Sequence, residues 1–179
     1  MFDKLIVYVA HGMTGLPWNE VKANSERVQN LLESYGIEVI DPINIENDSV
    51  SNSISTDKSA IPNRPDDGGK KAWYSDKAGI RKAHVLLDIT PEMKSEGVLR
   101  ELGYARFYLF KPTIRMYAPK SNPHMITIFE DDAVVRSLEE AVEVMLDRWG
   151  TWPKRIMWRI KMLSRSLPKF IWRQIMEFK

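Results

Sequence analysis

The alternation of short apolar runs with helical stretches is the feature that most constrains the fold of this chain. Leu5 to Ala10 is a continuous apolar run, which predicts a buried strand, and apolar residues recur at helical spacing from Pro17 to Tyr35. Gly36 ends that helix, and Ile37 to Ile40 predicts a second strand. Strand, helix and strand within about forty residues form a right-handed βαβ unit, so we expect parallel strands.

The rest of the chain extends the same pattern. Further strands are predicted at Val85 to Ile89, Pro112 to Tyr117 and Met125 to Phe129. One helix begins at or just after Ser95, and Ser137 caps a closing amphipathic helix that ends at Gly150. The predicted fold class is therefore α/β, a flavodoxin-like or Rossmann-like doubly wound sheet of about five parallel strands.

Two acidic residues flank the third predicted strand and are the strongest candidates for chemistry. Asp76 lies in a helix that leads into this strand, and Glu101 lies almost two turns into the helix that follows. Functional groups of an α/β sheet lie at the carboxyl ends of its strands, so we expect both carboxyl groups to line one pocket there. Asp88, at the end of the strand, either orients a hydroxyl group of a ligand or caps the next turn, and capping is slightly favoured.

Four short motifs follow one another along the chain. They are Val7-Tyr-Val-Ala-His-Gly-Met-Thr-Gly15, Asp76-Lys-Ala-Gly-Ile80, His84-Val-Leu-Leu-Asp88 and Ser95-x-Gly-x-x-x-Glu-Leu-Gly-Tyr-Ala105. In this order they resemble the nucleoside 2-deoxyribosyltransferase family, including its relatives that hydrolyse nucleoside 5'-monophosphates. The resemblance covers about residues 3 to 149, with a gap in the middle.

The resemblance implies a role for each matching residue. It makes Glu101 the nucleophile and Asp76 the acid/base, with Tyr8 hydrogen-bonding Glu101. It assigns substrate binding to His11, Gly12, Met13, Asp88, Ser95 and Gly97. His11 departs from the small residue expected at its position. Two carboxyl groups suit N-glycosidic cleavage, because one can attack the anomeric carbon while the other protonates the departing base.

Ser95 separates the two branches of the family. Members that act on free nucleosides tend to carry a carboxylate six residues before the nucleophile, whereas the monophosphate hydrolases resemble this chain in having serine there. A helix N-terminus with a hydroxyl attracts a phosphate, and a carboxylate there would repel it. Serine is also the best ordinary N-cap, and the adjacent Glu96 adds a negative charge. We favour a monophosphate substrate.

The predicted domain, residues 1–150, contains an insertion at 44–71 that differs in composition. Asn, Ser, Asp, Pro and Gly dominate it, and residues 64–71 are expected to be irregular. The insertion leads directly to Asp76, so it is either a flexible lid over the site or a solvated loop.

Composition excludes several classes of protein. The 179 residues contain no cysteine and only three histidines without ligand spacing, so we expect neither disulfides nor a metal site. The reaction implied by the resemblance needs no organic cofactor. No apolar run reaches the length of a signal peptide or a spanning helix, so a cytoplasmic location is the default.

Residues 151–179 form a predicted basic, amphipathic helical tail. Positions 153–179 hold eight Lys or Arg and one Glu, whereas residues 1–152 hold 18 basic and 23 acidic side chains. Ile156, Ile160, Leu163 and Leu167 share one helical face, and Pro168 breaks the helix. Packing on the body or on another subunit is the leading explanation. A membrane surface, making the protein peripheral, comes next and nucleic acid last.

The sequence therefore predicts an N-glycosidase that cleaves (2'-deoxy)nucleoside 5'-monophosphates through a covalent glycosyl-Glu101 intermediate. The alternatives are base exchange by a nucleoside 2-deoxyribosyltransferase, or a non-catalytic nucleotide-binding module whose tail docks on membrane or nucleic acid. The expected partners are a small nucleotide or nucleoside and, because relatives are dimers or larger, further copies of the chain.

Overall fold

The computed structural model describes residues 4–12, 17–43, 66–90, 95–118 and 132–166. Its strands are β1 (Ile6–Ala10), β2 (Glu38–Ile40), β3 (Val85–Asp88), β4 (Thr113–Met116) and β5 (Ala133–Val135). Its helices are α1 (Trp18–Ser34), α2 (Asp66–Lys82), α3 (Glu96–Gly103), α4 (Leu138–Trp149) and α5 (Trp152–Ser166), and α3 continues as a π-helical turn at Tyr104–Tyr108.

The five strands form one parallel sheet in the order β2-β1-β3-β4-β5. In its centre, Val7 pairs with Val85 and Ala10 pairs with Asp88, so β1 and β3 end at the same level. This strand order is the flavodoxin-like one, and the predicted doubly wound α/β fold is confirmed.

Two hydrophobic layers cover the sheet. The layer that we call the back face contains Val28 and Leu32 of α1 together with Met145 and Trp149 of α4. The front face carries Tyr8 and Leu86 of the sheet, and it packs against Ile80 of α2 and Val98 of α3. Alternate side chains of each central strand point to opposite layers, which explains why these strands are apolar throughout.

Several predicted boundaries agree with the structure. Helix α1 ends in a turn at Gly36, whose φ of 73° lies in the left-handed region that glycine adopts without strain. The N-caps of α3 and α4 are Ser95 and Ser137, and each side chain accepts a hydrogen bond from the backbone of the first turn.

Two expectations differ from what the structure contains. Helix α2 begins at Asp66, so residues 66–71 are helical and the prediction that they are irregular is wrong. A glycine disfavours a helix interior by only about 1 kcal/mol, so the two glycines at positions 68 and 69 do not prevent the helix. The remainder of the insertion, 44–65, lies outside the described residues. Ala133–Val135 forms a strand that the sequence did not predict, and the strand predicted at residues 125–129 lies outside the described part.

Helix α5 packs on α4 instead of standing away from the body. The Arg155 side chain is buried and donates a hydrogen bond to the Trp149 carbonyl at 3.3 Å. The Trp158 ring meets the Trp149 ring edge-on, with 6.3 Å between centroids. Within the described residues, no helix is both long and apolar enough to cross a bilayer.

Candidate active site

Tyr8 is the centre of a cluster on the front face of the sheet. It lies in the middle of β1 with its side chain fully buried, and its hydroxyl donates a hydrogen bond to Glu101 Oε1 at 3.2 Å. The Tyr8 side chain also interacts with the carboxyl group of Asp76. The structure thus brings together the three predicted catalytic residues, which come from β1, α2 and α3.

The protonation of this cluster follows from its burial. Burial raises the pKa of Tyr8 far above its ordinary value, and the nearby carboxyl groups of Glu101 and Asp76 raise it further. Tyr8 therefore stays a hydrogen-bond donor at every physiological pH. Burial also raises the pKa of Asp76, although a hydrogen bond with Tyr8 offsets part of this effect. Asp76 consequently keeps its proton to a higher pH than a free aspartic acid does, which suits a proton donor.

Gly79 allows α2 to approach the sheet closely enough for Asp76 to reach Tyr8. A Cβ atom at position 79 would lie 3.0 Å from Ile40 Cγ2 and 3.1 Å from Tyr8 Cε2. These separations are tighter than ordinary van der Waals contact. Gly79 is one turn after Asp76, so its lack of a side chain allows close spacing between α2 and the sheet next to Asp76.

His11 belongs to a second buried cluster, which involves helix α1. Its Nε2 lies 2.9 Å from Asp41 Oδ2, and the Ser25 hydroxyl donates to the same oxygen at 2.5 Å. The other oxygen of Asp41 accepts a hydrogen bond from the Ile43 backbone at 2.9 Å. Asp41 therefore fixes the imidazole against α1. A substrate-binding role for His11 stays a prediction.

Asp88 and Gly12 meet through Thr90 at the carboxyl edge of the sheet. The Thr90 backbone N–H donates to Asp88 Oδ1 at 2.9 Å, and the Thr90 hydroxyl accepts a hydrogen bond from the Gly12 backbone. Burial raises the pKa of Asp88 to about 6, although the Thr90 hydrogen bond, Arg115 and His11 each lower it. The turn-capping contact is present, and an additional contact with ribose stays a prediction.

The N-terminus of α3 lies beside this edge. The Ser95 hydroxyl accepts a hydrogen bond from the Val98 N–H at 3.5 Å, a long contact that a ligand could displace. Among the described residues, a Cβ atom at Gly97 would meet only Ser95 Oγ at 3.6 Å, so none of them covers the backbone of this first turn at Gly97. Met13 and residues 91–94, which complete this region in the sequence, lie outside the described residues.

Sequence reasoning missed four residues of these clusters: Gly79, Asp41, Ser25 and Thr90. Asp41 directly follows β2, so the rule that functional groups collect at carboxyl ends could have identified it. Ser25 gave no signal, because its hydrogen bond depends on how α1 packs. The parts of the chain that the structure describes contain no group of three or more His, Asp or Glu side chains that could hold a metal ion.

The fold is similar to that of several solved structures. A 2-deoxyribosyltransferase from Bacillus psychrosaccharolyticus matches with a TM-score of 0.55 and 15% identity, over 76% of this chain and 90% of that chain. The two proteins share a fold. A conserved protein from Enterococcus faecalis V583 matches with a TM-score of 0.52 and 16% identity, over 82% of this chain and 99% of that chain.

A third structure, the CMP N-glycosidase BcmB of Clostridium botulinum, gives a TM-score of 0.48 at 15% identity, over 78% of this chain and 97% of that chain. No protein-family model matches the sequence, and no curated protein is a significant match. Similarity at this level of identity establishes the architecture that the motifs predict. The activity must be argued from the side chains themselves.

Proposed function

We propose that this protein is an N-glycosidase that cleaves the bond between base and sugar in (2'-deoxy)nucleoside 5'-monophosphates. The observation that carries the proposal is the contact of Tyr8 with two carboxyl groups from separate helices, Glu101 and Asp76. Retaining glycosidases need such a pair, one ionised and one protonated, on either side of the scissile bond. The raised pKa of Asp76 supports the division of roles.

In the first step, the Glu101 carboxylate attacks the anomeric carbon of the sugar and forms an ester bond. The carbon–nitrogen bond to the base breaks, and its electron pair takes the proton that Asp76 donates. Asp76, now ionised, then removes a proton from water, and the resulting hydroxide attacks the anomeric carbon. The ester bond breaks and Glu101 is released as a carboxylate, so atoms and charges balance.

Tyr8 positions the nucleophile in this scheme. Its hydroxyl is a neutral donor at all relevant pH values, so it holds Glu101 Oε1 in one orientation without neutralising the carboxylate. A buried carboxylate with a fixed geometry loses less entropy on reaching the transition state. Tyr8 is therefore a positioning residue, whereas Glu101 and Asp76 are the catalytic residues.

The phosphate group of the substrate is assigned to the first turn of α3. Free backbone N–H groups at a helix N-terminus attract anions, and Ser95 adds a hydroxyl without adding charge. The Gly12 backbone, held by Thr90 at the same edge, and the unsubstituted backbone of Gly97 extend this surface. The proposed roles of His11, Met13 and Asp88 are contacts with the sugar.

The test is release of free base from a panel of nucleosides and nucleoside 5'-monophosphates, measured by liquid chromatography. The Glu101→Gln variant should lose roughly a thousand-fold or more in kcat/KM, because no carboxylate remains to form the intermediate. Glu143→Gln is the matched control, since Glu143 is exposed on α4 at the other face of the sheet. Equal activity of the wild type and Glu101→Gln would exclude this mechanism.

Base exchange is the second candidate function, because transfer and hydrolysis share the first step. The fold that this chain shares with a 2-deoxyribosyltransferase is the reason for considering base exchange. Adding a second free base to the reaction distinguishes the two, since a transferase forms a new nucleoside or nucleotide and a hydrolase forms free sugar or sugar phosphate. Binding of nucleotides without release of base would instead support a non-catalytic module.

The proposed assembly is a homo-oligomer that covers the outer surface of α2 and of the helical turn after α3. Tyr74, Phe107 and Tyr108 are 65%, 65% and 77% exposed on these two elements, and exposing several large aromatic side chains to water is unfavourable for a monomer. The same helix carries Glu101, so a second copy would lie next to the catalytic cluster. This arrangement supports the oligomer that the family resemblance implies.

A further inference from the structure

Helix α5 has two different sides, and only one of them packs on the protein. The inner side carries the buried Arg155 and the half-buried Trp158, which contact Trp149 of α4. Residues lying toward the outer side remain exposed: Trp152 by 60%, Met157 by 65% and Ile160 by 46%. The apolar residues that sequence periodicity assigns to a core are thus divided between the body and the solvent.

The exposed apolar residues are bordered by cations. Met157 and Ile160 are three positions apart and lie side by side on the helix surface. Lys154 and Lys161 are seven positions apart, so they lie along one edge of this apolar strip. Both lysines are exposed. We call Trp152, Met157, Ile160 and these two lysines the outer strip.

The outer strip has no acidic neighbour on its own helix. The sequence from 152 to 166 contains no Asp or Glu, and the nearest acid on the preceding helix, Asp147, pairs with Lys154 at 3.8 Å. An exposed pair of this kind contributes little energy, so Lys154 can exchange it for another anion. The preceding 152 residues have an excess of five acidic side chains, so the positive charge is concentrated at this end of the chain.

The location of α5 relates it to the candidate active site. Residues Arg155, Trp158 and Arg159 line a small cavity with His84 and Pro112, which precede β3 and β4. Helix α5 therefore lies at the amino ends of these strands, while Gly12, Thr90 and Ser95 lie at their carboxyl ends. A partner on the outer strip would leave the proposed active site open.

We propose that the outer strip docks this protein on the surface of an anionic lipid bilayer. An apolar strip bordered by lysines, with Trp at its end, places methylene and ring carbons among lipid chains and cations among phosphates. A nucleic acid would satisfy the cations but leave Met157 and Ile160 exposed to water. A second copy docked through the same strip would bring like charges together.

The test is co-sedimentation of the full-length protein with vesicles of phosphatidylcholine, with and without phosphatidylglycerol. We expect binding only to the anionic vesicles, and weakening by salt. Met157→Glu combined with Ile160→Glu should lower partitioning by roughly ten-fold or more, because it removes apolar contact and adds negative charge. Leu99→Glu is the matched control, since Leu99 is 56% exposed and lies on α3 instead of α5.

A second variant keeps the proposal falsifiable if the first one unfolds. Lys154→Gln with Lys161→Gln changes only exposed side chains and should also weaken binding roughly ten-fold, since each cation contributes to attraction by the bilayer. Three outcomes would overturn the proposal. They are failure of the wild type to bind anionic vesicles, equal binding by wild type and both variants, and a change of oligomeric state in the variants. Salt-sensitive binding to duplex DNA without vesicle binding would also overturn it.

Discussion

In the proposed function, Ser95 is the residue whose chemistry separates phosphorylated from unphosphorylated substrates. Replacing it by aspartate keeps an N-cap acceptor but places a negative charge where the phosphate is proposed to bind. We expect the ratio of kcat/KM for a monophosphate to that for its nucleoside to fall by about ten-fold or more, which corresponds to about 1.4 kcal/mol of repulsion. Steady-state kinetics on the two substrates measure this ratio.

Ser137→Asp is the matched control for Ser95→Asp, because Ser137 caps α4 with the same type of hydrogen bond. It should leave the ratio unchanged. An unchanged ratio in Ser95→Asp as well would place the phosphate elsewhere.

Asp88 should make stability depend on pH. Its folded pKa of about 6 exceeds the ordinary value of 3.8, so its stabilising effect is complete in acid and is lost as the pH rises through 6. Asn at this position does not titrate. The free energy of unfolding of Asp88→Asn, relative to wild type, should therefore increase by about 2 kcal/mol between pH 4 and pH 7. Urea titrations at several pH values measure this difference.

Asp147→Asn serves as the control for Asp88→Asn, because Asp147 is 83% exposed on α4. Its unfolding free energy should follow that of the wild type at every pH. Parallel profiles for Asp88→Asn and wild type would contradict the raised pKa of Asp88.

Individual catalytic candidates could be predicted from sequence because each lies in a recognisable motif near a strand or a helix start. Tyr8, Asp76 and Glu101 were all identified in this way, and the structure brings them together. The contacts of His11 could not be predicted. They depend on where α1 lies along its own axis, because this position decides whether Ser25 contacts Asp41. No local sequence pattern predicts how far a helix is shifted along its axis.

At the scale of an element, the position of α2 depends on Gly79. Gly79→Val should push the helix away from Tyr8 and Ile40, lowering the free energy of unfolding by about 1–3 kcal/mol. The activity of the folded fraction should fall as well, because Asp76 moves with the helix. Denaturant unfolding and base release measure the two effects.

Gly103→Val is the control for Gly79→Val, because a Cβ atom at Gly103 would meet nothing within 4 Å. Each variant replaces a helical glycine by valine, so the intrinsic change in helix propensity is the same. The difference between their free energies of unfolding therefore measures the contact with the sheet. Equal free energies of unfolding for the two variants would show that close packing of α2 on the sheet does not require glycine at position 79.

Sequence patterns located long elements better than short ones. Helices α1 and α4 contain enough turns for apolar periodicity to be clear, and their predicted ends agree closely with the structure. Strand β5 has only three residues, Ala133–Val135, which is too short to stand out from a loop. The start of α2 was missed because Gly68 and Gly69 suggest a break, although the helix passes through them.

At the scale of the molecule, the exposed aromatic side chains of α2 and of the helical turn after α3 predict self-association. Phe107→Arg with Tyr108→Arg should convert the oligomer to monomers, since it places charges in an apolar contact. Light scattering after size-exclusion chromatography measures the mass. Met157→Arg, an equivalent change on α5, should leave the mass unchanged. A monomeric wild type would contradict the proposed assembly.

Because α5 crosses the amino ends of the strands, a protein held by it would present the proposed active site to the aqueous phase. It would then draw its substrates from dissolved metabolites and not from lipid-linked ones. Adding anionic vesicles should consequently move the protein to the lipid surface without changing its rate of base release.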